Sequence, residues 1–184
     1  MAGLYLFMAI ELELRFLDID VVEITNKLEM LGAKKVGDWL QERFVFQFKD
    51  KKKGEQRWIR VRTNGEKTTI AYKHILKNTI DGTEEVEFEV SDMNAAMEFL
   101  EKCGFLKEGP QQNKRITYLL DDVEIDIDTW PDCPPWLEIE AKNEDEIKKI
   151  CKKLNLDFSK GTAAGVLDIL VGYGYDRKQK VCKF

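Results

Sequence analysis

Apolar and charged side chains alternate along most of this chain with a period of two residues, which is the pattern of half-buried β-strands. Residues 9–16 read AIELELRF, so the apolar side chains project to one side of the strand and the charged ones to the other. The alternation predicts eight strands, at about 9–16, 41–49, 56–63, 67–75, 84–90, 114–120, 123–129 and 137–140. Helices are predicted at about 20–31, 93–103 and 145–154, with a short one near 166–170.

Tight turns join several of these runs, and the Asn64-Gly65 pair is a typical hairpin signal. We therefore predict an α+β fold that is mainly antiparallel β. A closed eight-stranded β-barrel, or tunnel, would remove exposed strand edges and place one strand face inside. The apolar strand faces would then lie outward, with the helices packed outside over them. One domain is expected over residues 1–184, with its core at about 9–171.

A faint repeat suggests that this domain has two similar halves. Residues 29–46 and 101–118 share the same spacing of a glutamate, two glycines, an arginine and an aromatic residue. Each half would contain a strand, a helix and then three strands.

The charge balance and the scarcity of histidine exclude several classes of function. A formal net charge of −5 leaves no excess of Lys and Arg to neutralise a nucleic-acid backbone, so no nucleic-acid partner is expected. His74 is the single histidine, which argues against a His-based metal site and a Ser-His-Asp nucleophile. Any metal ion must then be a hard cation held by oxygen atoms.

Two further features bear on the cellular setting. The four cysteines form no C-x-x-C pair and are expected to be free thiols of a cytoplasmic protein. The apolar stretch 1–10 is too short for a membrane span and lacks the basic flank of a signal peptide, so no membrane partner is expected. The sequence leaves the oligomeric state open, and a homodimer is kept as a candidate.

The charged faces of the predicted strands segregate by sign. Strands one, five, seven and eight are acidic, whereas strands three, four and six carry Arg60, Arg62, Lys73 and Arg115. One charged face is simply a solvated surface, but eight together repel unless opposite charges or a cation lie among them. Arginines and a lysine suit a triphosphate, and carboxylates suit the divalent cation that accompanies it. The layout predicts a metal-dependent triphosphate site, with a protein interface as the plainer alternative.

The opening Glu11-Leu12-Glu13-Leu14-Arg15 resembles the E-x-E-x-K signature of the CYTH superfamily, the triphosphate tunnel metalloenzymes. Further matches follow in the family's order: Trp58-Ile59-Arg60-Val61-Arg62, Ala71-Tyr72-Lys73, Glu85-Val86-Glu87, Arg115, Ile127-Asp128 and Glu138-Ile139-Glu140. They cover roughly residues 10–170, nearly the whole chain. One E-x-E-x-K would be a weak signal, whereas the ordered set is specific.

The resemblance implies an antiparallel eight-stranded tunnel in which each group of charged residues has a role. The implied triphosphate-binding residues are Arg60, Arg62, Lys73 and Arg115, and we add Arg43 as a further candidate for binding the triphosphate. The implied ligands of Mg²⁺ or Mn²⁺ are Glu11, Glu13, Asp128, Glu138 and Glu140, with Glu85, Glu87 and Asp126 as supporting carboxylates. The implied catalytic candidates are Arg15, at the position of the signature lysine, and Lys73.

Two departures from the family pattern bear on function. Arg15 keeps the charge of the signature lysine, but a guanidinium cannot readily be tuned into a general base. Arg43 lies where class IV adenylate cyclases tend to carry an acidic residue. We therefore expect an enzyme acting on ATP, tripolyphosphate or thiamine triphosphate, with phosphohydrolysis favoured over cyclisation of ATP to cyclic AMP. A non-catalytic module that binds polyphosphate or a nucleotide is the further alternative.

Overall fold

The computed structural model describes the backbone of residues 9–77, 79–176 and 181–184, with side chains from Leu12 onward. Within these ranges the elements are β1 (Ala9–Phe16), α1 (Val21–Met30), β2 (Lys34–Gln47), β3 (Gln56–Thr63), β4 (Thr68–Ile75), β5 (Thr83–Val90), α2 (Met93–Lys102), β6 (Leu106–Leu120), β7 (Val123–Thr129), β8 (Trp136–Ala141), α3 (Glu144–Leu154) and α4 (Val166–Gly172). The order of a strand, a helix and three strands occurs twice, which agrees with the repeat. None of the described helices has the length and apolar character needed to span a bilayer.

The strands form one antiparallel sheet that curls round on itself. Neighbours pair in the order β1-β5-β4-β3-β2-β6-β7-β8, and β8 pairs with β1, so the ladder order is that of a closed barrel. The described ladder between β1 and β5 is short and ends at Glu11. Past this point, the same edge of β1 hydrogen-bonds with the loop residues Ile80 and Thr162. The eight-stranded antiparallel sheet is therefore confirmed, but the predicted closed barrel is not: in the described part of the chain β1 and β5 pair only over residues 9–11 of β1, and the sheet curls into a half-barrel.

The helix and strand boundaries agree with the sequence prediction within two residues, except where β2 and β6 begin. β2 starts at Lys34 and β6 at Leu106, well before the predicted starts at 41 and 114. The register of the β2–β6 ladder shifts between Lys35 and Gly37 and again between Arg43 and Val45. Each bulge breaks the period of two, so alternation could not reveal the full length of these strands.

The apolar strand faces point outward, where the helices cover them. α1 and α3 pack over β1, β6, β7 and β8, and α2 packs over β2 and β3 through Met97 and Leu100. The N-cap residues of the three helices are Asp20, Asp92 and Asn143, whose side chains each accept a hydrogen bond from a backbone N–H of the first turn. Because the helices bury the apolar faces, the charged faces are left inside the curl.

The cysteines should differ in how fast they react with a thiol reagent. Cys103 is exposed at the end of α2, whereas Cys151 and Cys182 are buried. Burial raises the pKa of Cys151 to about 11, and the thiol form is the unreactive one. With iodoacetamide at mildly alkaline pH, we expect rapid alkylation of Cys103, and alkylation of Cys151 only after unfolding. Peptide mass mapping checks this, and rapid alkylation of Cys151 in the folded protein would contradict its burial between α3 and the sheet.

Candidate functional site

The charged strand faces line the inside of the curled sheet, a space that we call the cup. A cavity of about 270 Å³ opens at one end, where Trp39, Arg62 and Arg115 are among its lining residues. The ladder registers place the following predicted site residues on this inner face: Glu13, Arg15, Arg43, Arg60, Arg62, Lys73, Glu85, Glu87, Arg115, Asp126, Asp128, Glu138 and Glu140. Glu11 precedes them on β1, but its side chain lies outside the described residues.

An apolar cluster occupies the other end of the cup. Trp130 and Trp136 continue the inner faces of β7 and β8, and their rings stack with centroids 6.1 Å apart. Residues of α4 and the C-terminal Cys182 pack on this pair. The Arg43 guanidinium lies over the Trp130 ring, 4.7 Å from its centroid. The cup therefore has one open end and one apolar end, and Arg43 lies at the apolar end.

Arg115 forms ion pairs with carboxylates of β7 and β8. Its Nε and Nη2 donate to the two oxygens of Asp128 at 2.8 and 2.6 Å, its Nη1 pairs with Asp126, and its Nη2 lies 3.3 Å from Glu138. Burial opposes its charge, but the neighbouring carboxylates overcome this and raise the pKa of Arg115 well above the ordinary value. Burial also raises the pKa of Asp126 to about 7, although Arg115 works in the opposite direction. One arginine thus stabilises three crowded acids.

Arg15 bridges β1, β8 and the loop that precedes α4. Its Nε donates to Glu138 Oε2 at 2.5 Å, its Nη2 to Glu13 Oε2 at 2.7 Å, and its Nη1 to the carbonyl of Ala164 at 2.9 Å. The residue is only 4% exposed. Burial disfavours its charge, but Glu138 and Glu13 outweigh burial and raise the pKa of Arg15. Every guanidinium nitrogen therefore has an acceptor.

The β3, β4 and β5 side of the cup also pairs opposite charges. Lys73 Nζ lies 2.6 Å from Glu85, and Arg60 Nη2 donates to Glu87 at 2.6 Å. Burial raises the pKa of Glu87, but Arg60 and Arg62 outweigh burial and leave it below the ordinary value. These two glutamates balance the charges of Lys73 and Arg60, and their role as supporting carboxylates of a metal site stays a prediction.

Arg43 is the exception to this pairing. It is 6% exposed, and its Nη2 donates to the side-chain oxygens of Gln41, at 3.3 Å, and Asn113. Its Nε has no hydrogen-bond acceptor, and no described carboxylate lies within ion-pair distance of its guanidinium. Burial and the positive charges of Arg60 and Arg62 lower the pKa of Arg43 well below the ordinary value. Arg43 is thus a buried cation in need of an anion.

The neighbour of Arg43 is also poorly neutralised. Arg62 faces Arg43 directly in the β2–β3 ladder. Its Nη2 lies 3.6 Å from Glu87, a carboxylate that Arg60 already holds at closer range. Burial and the charge of Arg60 lower the pKa of Arg62 to about 10. Two facing arginines therefore concentrate positive charge on the β2–β3 wall of the cup.

The sequence did not predict Asn113 as a site residue, although this residue of β6 connects Asp128 on β7 with Arg43 on β2. Its Nδ2 donates to Asp128 at 2.8 Å, and its Oδ1 accepts from Arg43. The predicted strand starts one residue later, so Asn113 falls outside it. The two-residue spacing from Arg115 is the signal that would have placed Asn113 on the same inner face.

The predicted metal ligands fit a hard divalent cation in their chemistry but not in their arrangement. Carboxylate oxygens are the donors that Mg²⁺ and Mn²⁺ prefer. However, Glu13 and Glu138 bind Arg15, and Asp128 binds Arg115. Across the residues whose side chains are described, no three Asp, Glu, His or Cys form a group that could hold a metal ion. Glu13, Asp128 and Glu138 thus share the cup with arginine partners, and among the described side chains they do not form one coordination sphere.

The fold and this interior define the class of protein: an α+β protein whose curled antiparallel sheet encloses arginines and carboxylates. The chain belongs to the CYTH family, because the CYTH domain model matches residues 9–164. Members of this superfamily are triphosphatases or adenylate cyclases, and the family depends on divalent metal ions. No curated protein sequence matches the chain.

Solved structures share the fold along most of the chain. The PH1012 protein of Pyrococcus horikoshii is 29% identical, with a TM-score of 0.71 over 86% of this chain and 98% of that protein. A candidate adenylate cyclase from Vibrio parahaemolyticus is 13% identical, with a TM-score of 0.70 over 90% and 99% of the two chains. A candidate adenylyl cyclase from Hippeastrum, described as having a dominant triphosphatase activity, is 14% identical, with a TM-score of 0.61 over 92% and 99%. The last two likenesses concern the fold alone.

Proposed function

We propose that this protein binds a triphosphate in the cup and hydrolyses it. The facing pair Arg43 and Arg62 is the observation that carries this proposal. Like charges directly opposite each other on neighbouring strands destabilise a sheet unless a counter-charge lies between them. Protein carboxylates supply that counter-charge elsewhere in the cup, but they leave this pair poorly neutralised. A bound chain of phosphates would supply it.

The remaining cations would hold the phosphate chain along its length. Arg60 and Arg62 lie on β3 and Lys73 on β4, while Arg43 lies at the apolar end of the cup. A guanidinium offers paired donors that match phosphate oxygens, and a lysine acts as a point charge. The terminal phosphate would approach Arg43, and the rest of ATP, tripolyphosphate or thiamine triphosphate would extend toward the open end. We propose that Mg²⁺ or Mn²⁺ accompanies the substrate.

The arginines would also favour hydrolysis. In phosphoryl transfer, charge is spread over the oxygens of the transferred group, so positioning and electrostatic stabilisation supply most of the rate. Water would attack the terminal phosphorus as the bond from that phosphorus to the bridging oxygen breaks, so that phosphate and the shortened phosphate chain are released and the proton of water ends on the released phosphate. The arginines would stabilise the charge on these oxygens. Arg15 does not fit the role of proton acceptor, because a guanidinium stays protonated and its three nitrogens are engaged. Lys73, held by Glu85, remains the catalytic candidate.

A non-catalytic binding module is the second candidate function. It is favoured by the same engagement of Arg15, since the residue at the signature lysine then offers no proton acceptor. Cyclisation of ATP is disfavoured by Arg43, which adds a cation where class IV cyclases tend to carry an acid.

A product assay separates these functions. Purified protein is incubated with Mg²⁺ or Mn²⁺ and, in turn, ATP, tripolyphosphate and thiamine triphosphate, and phosphate, pyrophosphate and cyclic AMP are measured. We expect phosphate release that is lost in Arg62→Gln and retained in Arg57→Gln, because Arg57 lies on the outer face of β3 and pairs with Asp50 and Glu55. Cyclic AMP with pyrophosphate would identify a cyclase instead. Binding without product would identify a binding module, and failure to bind any triphosphate would contradict the site itself.

A further inference from the structure

The contacts of Arg15 bear on how a divalent cation reaches the cup. Its guanidinium lies between Glu13 and Glu138, the two buried glutamates that the family resemblance assigns to the metal. Its Nε and Nη2 each take one oxygen of these carboxylates, at 2.5 and 2.7 Å. The position that a bridging metal ion would need between the two glutamates is therefore filled by a side chain of the protein.

Three hydrogen bonds to the loop before α4 hold Arg15 in this position. Its backbone N–H and carbonyl exchange two hydrogen bonds with Thr162, at 2.9 and 2.8 Å. Its Nη1 reaches the carbonyl of Ala164 in the same loop, at 2.9 Å. A guanidinium is planar and always protonated in proteins, so it cannot withdraw by losing its charge. Moving it aside would break these contacts and leave a buried cation without partners.

A second cation close to Arg15 would face direct repulsion. The interior of the cup is largely removed from solvent here, since Glu13, Arg15 and Glu138 are all buried. Repulsion between like charges is much stronger in such surroundings than in water. A divalent ion therefore gains little from Glu13 and Glu138 unless additional negative charge comes with it.

We propose that Arg15 is a built-in cation that replaces a resident divalent metal ion, so that the protein takes up Mg²⁺ or Mn²⁺ only together with a triphosphate. This inference rests on the proposed function for the identity of the anion. The phosphate oxygens supply the ligands and the negative charge that Glu13 and Glu138 have committed to Arg15. Arg15 is then a positioning residue that fixes both glutamates, and it transfers no proton.

The test is a titration of the full chain with Mn²⁺ followed by electron paramagnetic resonance, which reports free Mn²⁺. Without triphosphate, the wild-type protein is expected to bind Mn²⁺ only weakly. Arg15→Met frees both glutamates and is expected to bind Mn²⁺ at least about tenfold more tightly. Arg57→Met is the matched control, because it frees two carboxylates outside the cup, those of Asp50 and Glu55 in the loop between β2 and β3. No comparable gain is expected there.

Two results would overturn the proposal. One is tight Mn²⁺ binding by the wild-type protein without triphosphate that disappears in Glu13→Gln, since a resident metal site would then exist. The other is a folded Arg15→Met variant that binds Mn²⁺ no better than wild type. If circular dichroism shows that Arg15→Met does not fold, Arg15→Lys is measured instead. Its single nitrogen cannot hold both glutamates in the same way, so a smaller gain of the same sign is expected.

A separate calorimetric titration with tripolyphosphate distinguishes this inference from the proposed function. Failure of tripolyphosphate to bind, with or without Mn²⁺, would contradict the triphosphate site. The comparison of wild type with Arg15→Met in Mn²⁺ alone would still decide the role of Arg15, because it involves no phosphate.

Discussion

Replacing Arg43 with glutamine should weaken the binding of tripolyphosphate by roughly 10- to 100-fold, the loss expected when a charge-assisted hydrogen bond is removed. Arg43 is a buried cation of the cup that forms no ion pair with a described carboxylate, and it lies against Trp130 at the apolar end. A phosphate placed there would gain a charged donor that is already desolvated and fixed by Gln41 and Asn113. Isothermal titration calorimetry of the wild-type and variant proteins measures the loss.

The same substitution should not destabilise the unliganded protein. Arg43 faces Arg62, and burial lowers the pKa of both, so removing one charge relieves repulsion. We expect the melting temperature of Arg43→Gln without ligand to equal or exceed that of wild type. Arg57→Gln is the control. Its dissociation constant for tripolyphosphate should lie within about twofold of the wild-type value, a much smaller change than the loss of a hydrogen bond causes. A variant that melts lower and binds as tightly as wild type would show that Arg43 is structural.

Replacing Arg115 with methionine should destabilise the protein by about 3–5 kcal/mol, the usual cost of removing one partner from a buried charge network. Arg115 contacts Asp126, Asp128 and Glu138, and all three carboxylates are buried. Without the guanidinium they would face one another with little solvent to screen them. Urea unfolding at neutral pH measures the loss. Arg57→Met, on the outer face of β3, is the control and should cost under about 1 kcal/mol.

The pH dependence of Arg115→Met gives a second test of the same cause. Burial raises the pKa of Asp126 to about 7 even with Arg115 present. Loss of Arg115 would also raise the pKa of Glu138, which Arg15 and Arg115 together hold below its ordinary value against the effect of burial. The folded variant would then bind more protons than the unfolded chain, so its stability should increase as the pH falls from neutral toward 5. The difference in the free energy of unfolding between wild type and Arg115→Met should therefore become smaller between neutral pH and pH 5. A difference that stays constant with pH would indicate that the variant is destabilised by lost packing instead.

Alternation predicted the strands best where they carry no bulge. β1, β3 and β7 have the predicted bounds, because each contributes one uninterrupted apolar face to a helix-covered core. β2 and β6 begin earlier because two register shifts interrupt their period. Lys34, Gly37 and Asp38 do not look like strand residues by themselves, and it is the partner strand that extends β2 through them. The local sequence of a strand does not predict long-range pairing of this kind.

The two-residue period also predicted which charged side chains lie on the inner face of the sheet. It did not predict which of them form ion pairs. The two-residue period put Arg15, Arg43 and Arg115 on charged faces, and the ladder registers agree with this placement. The family resemblance assigned Glu13 and Glu138 to a metal ion, which stays a prediction, and it did not reveal that both carboxylates bind Arg15. Arg15 and Glu138 are far apart in the chain, and only the pairing of β1 with β8 brings them together.

The sequence by itself determined that this chain would bury alternating apolar faces under helices and gather its charges on the opposite faces, because that choice depends only on the spacing of residues along each strand. The tertiary structure alone decided which charges neutralise one another. Glu13 and Glu138 form ion pairs with Arg15, and Asp126, Asp128 and Glu138 form ion pairs with Arg115. Arg43 forms no ion pair with a carboxylate among the described residues. Ion pairing depends on distances of a few ångströms between strands remote in sequence, and those distances exist only once the sheet has curled.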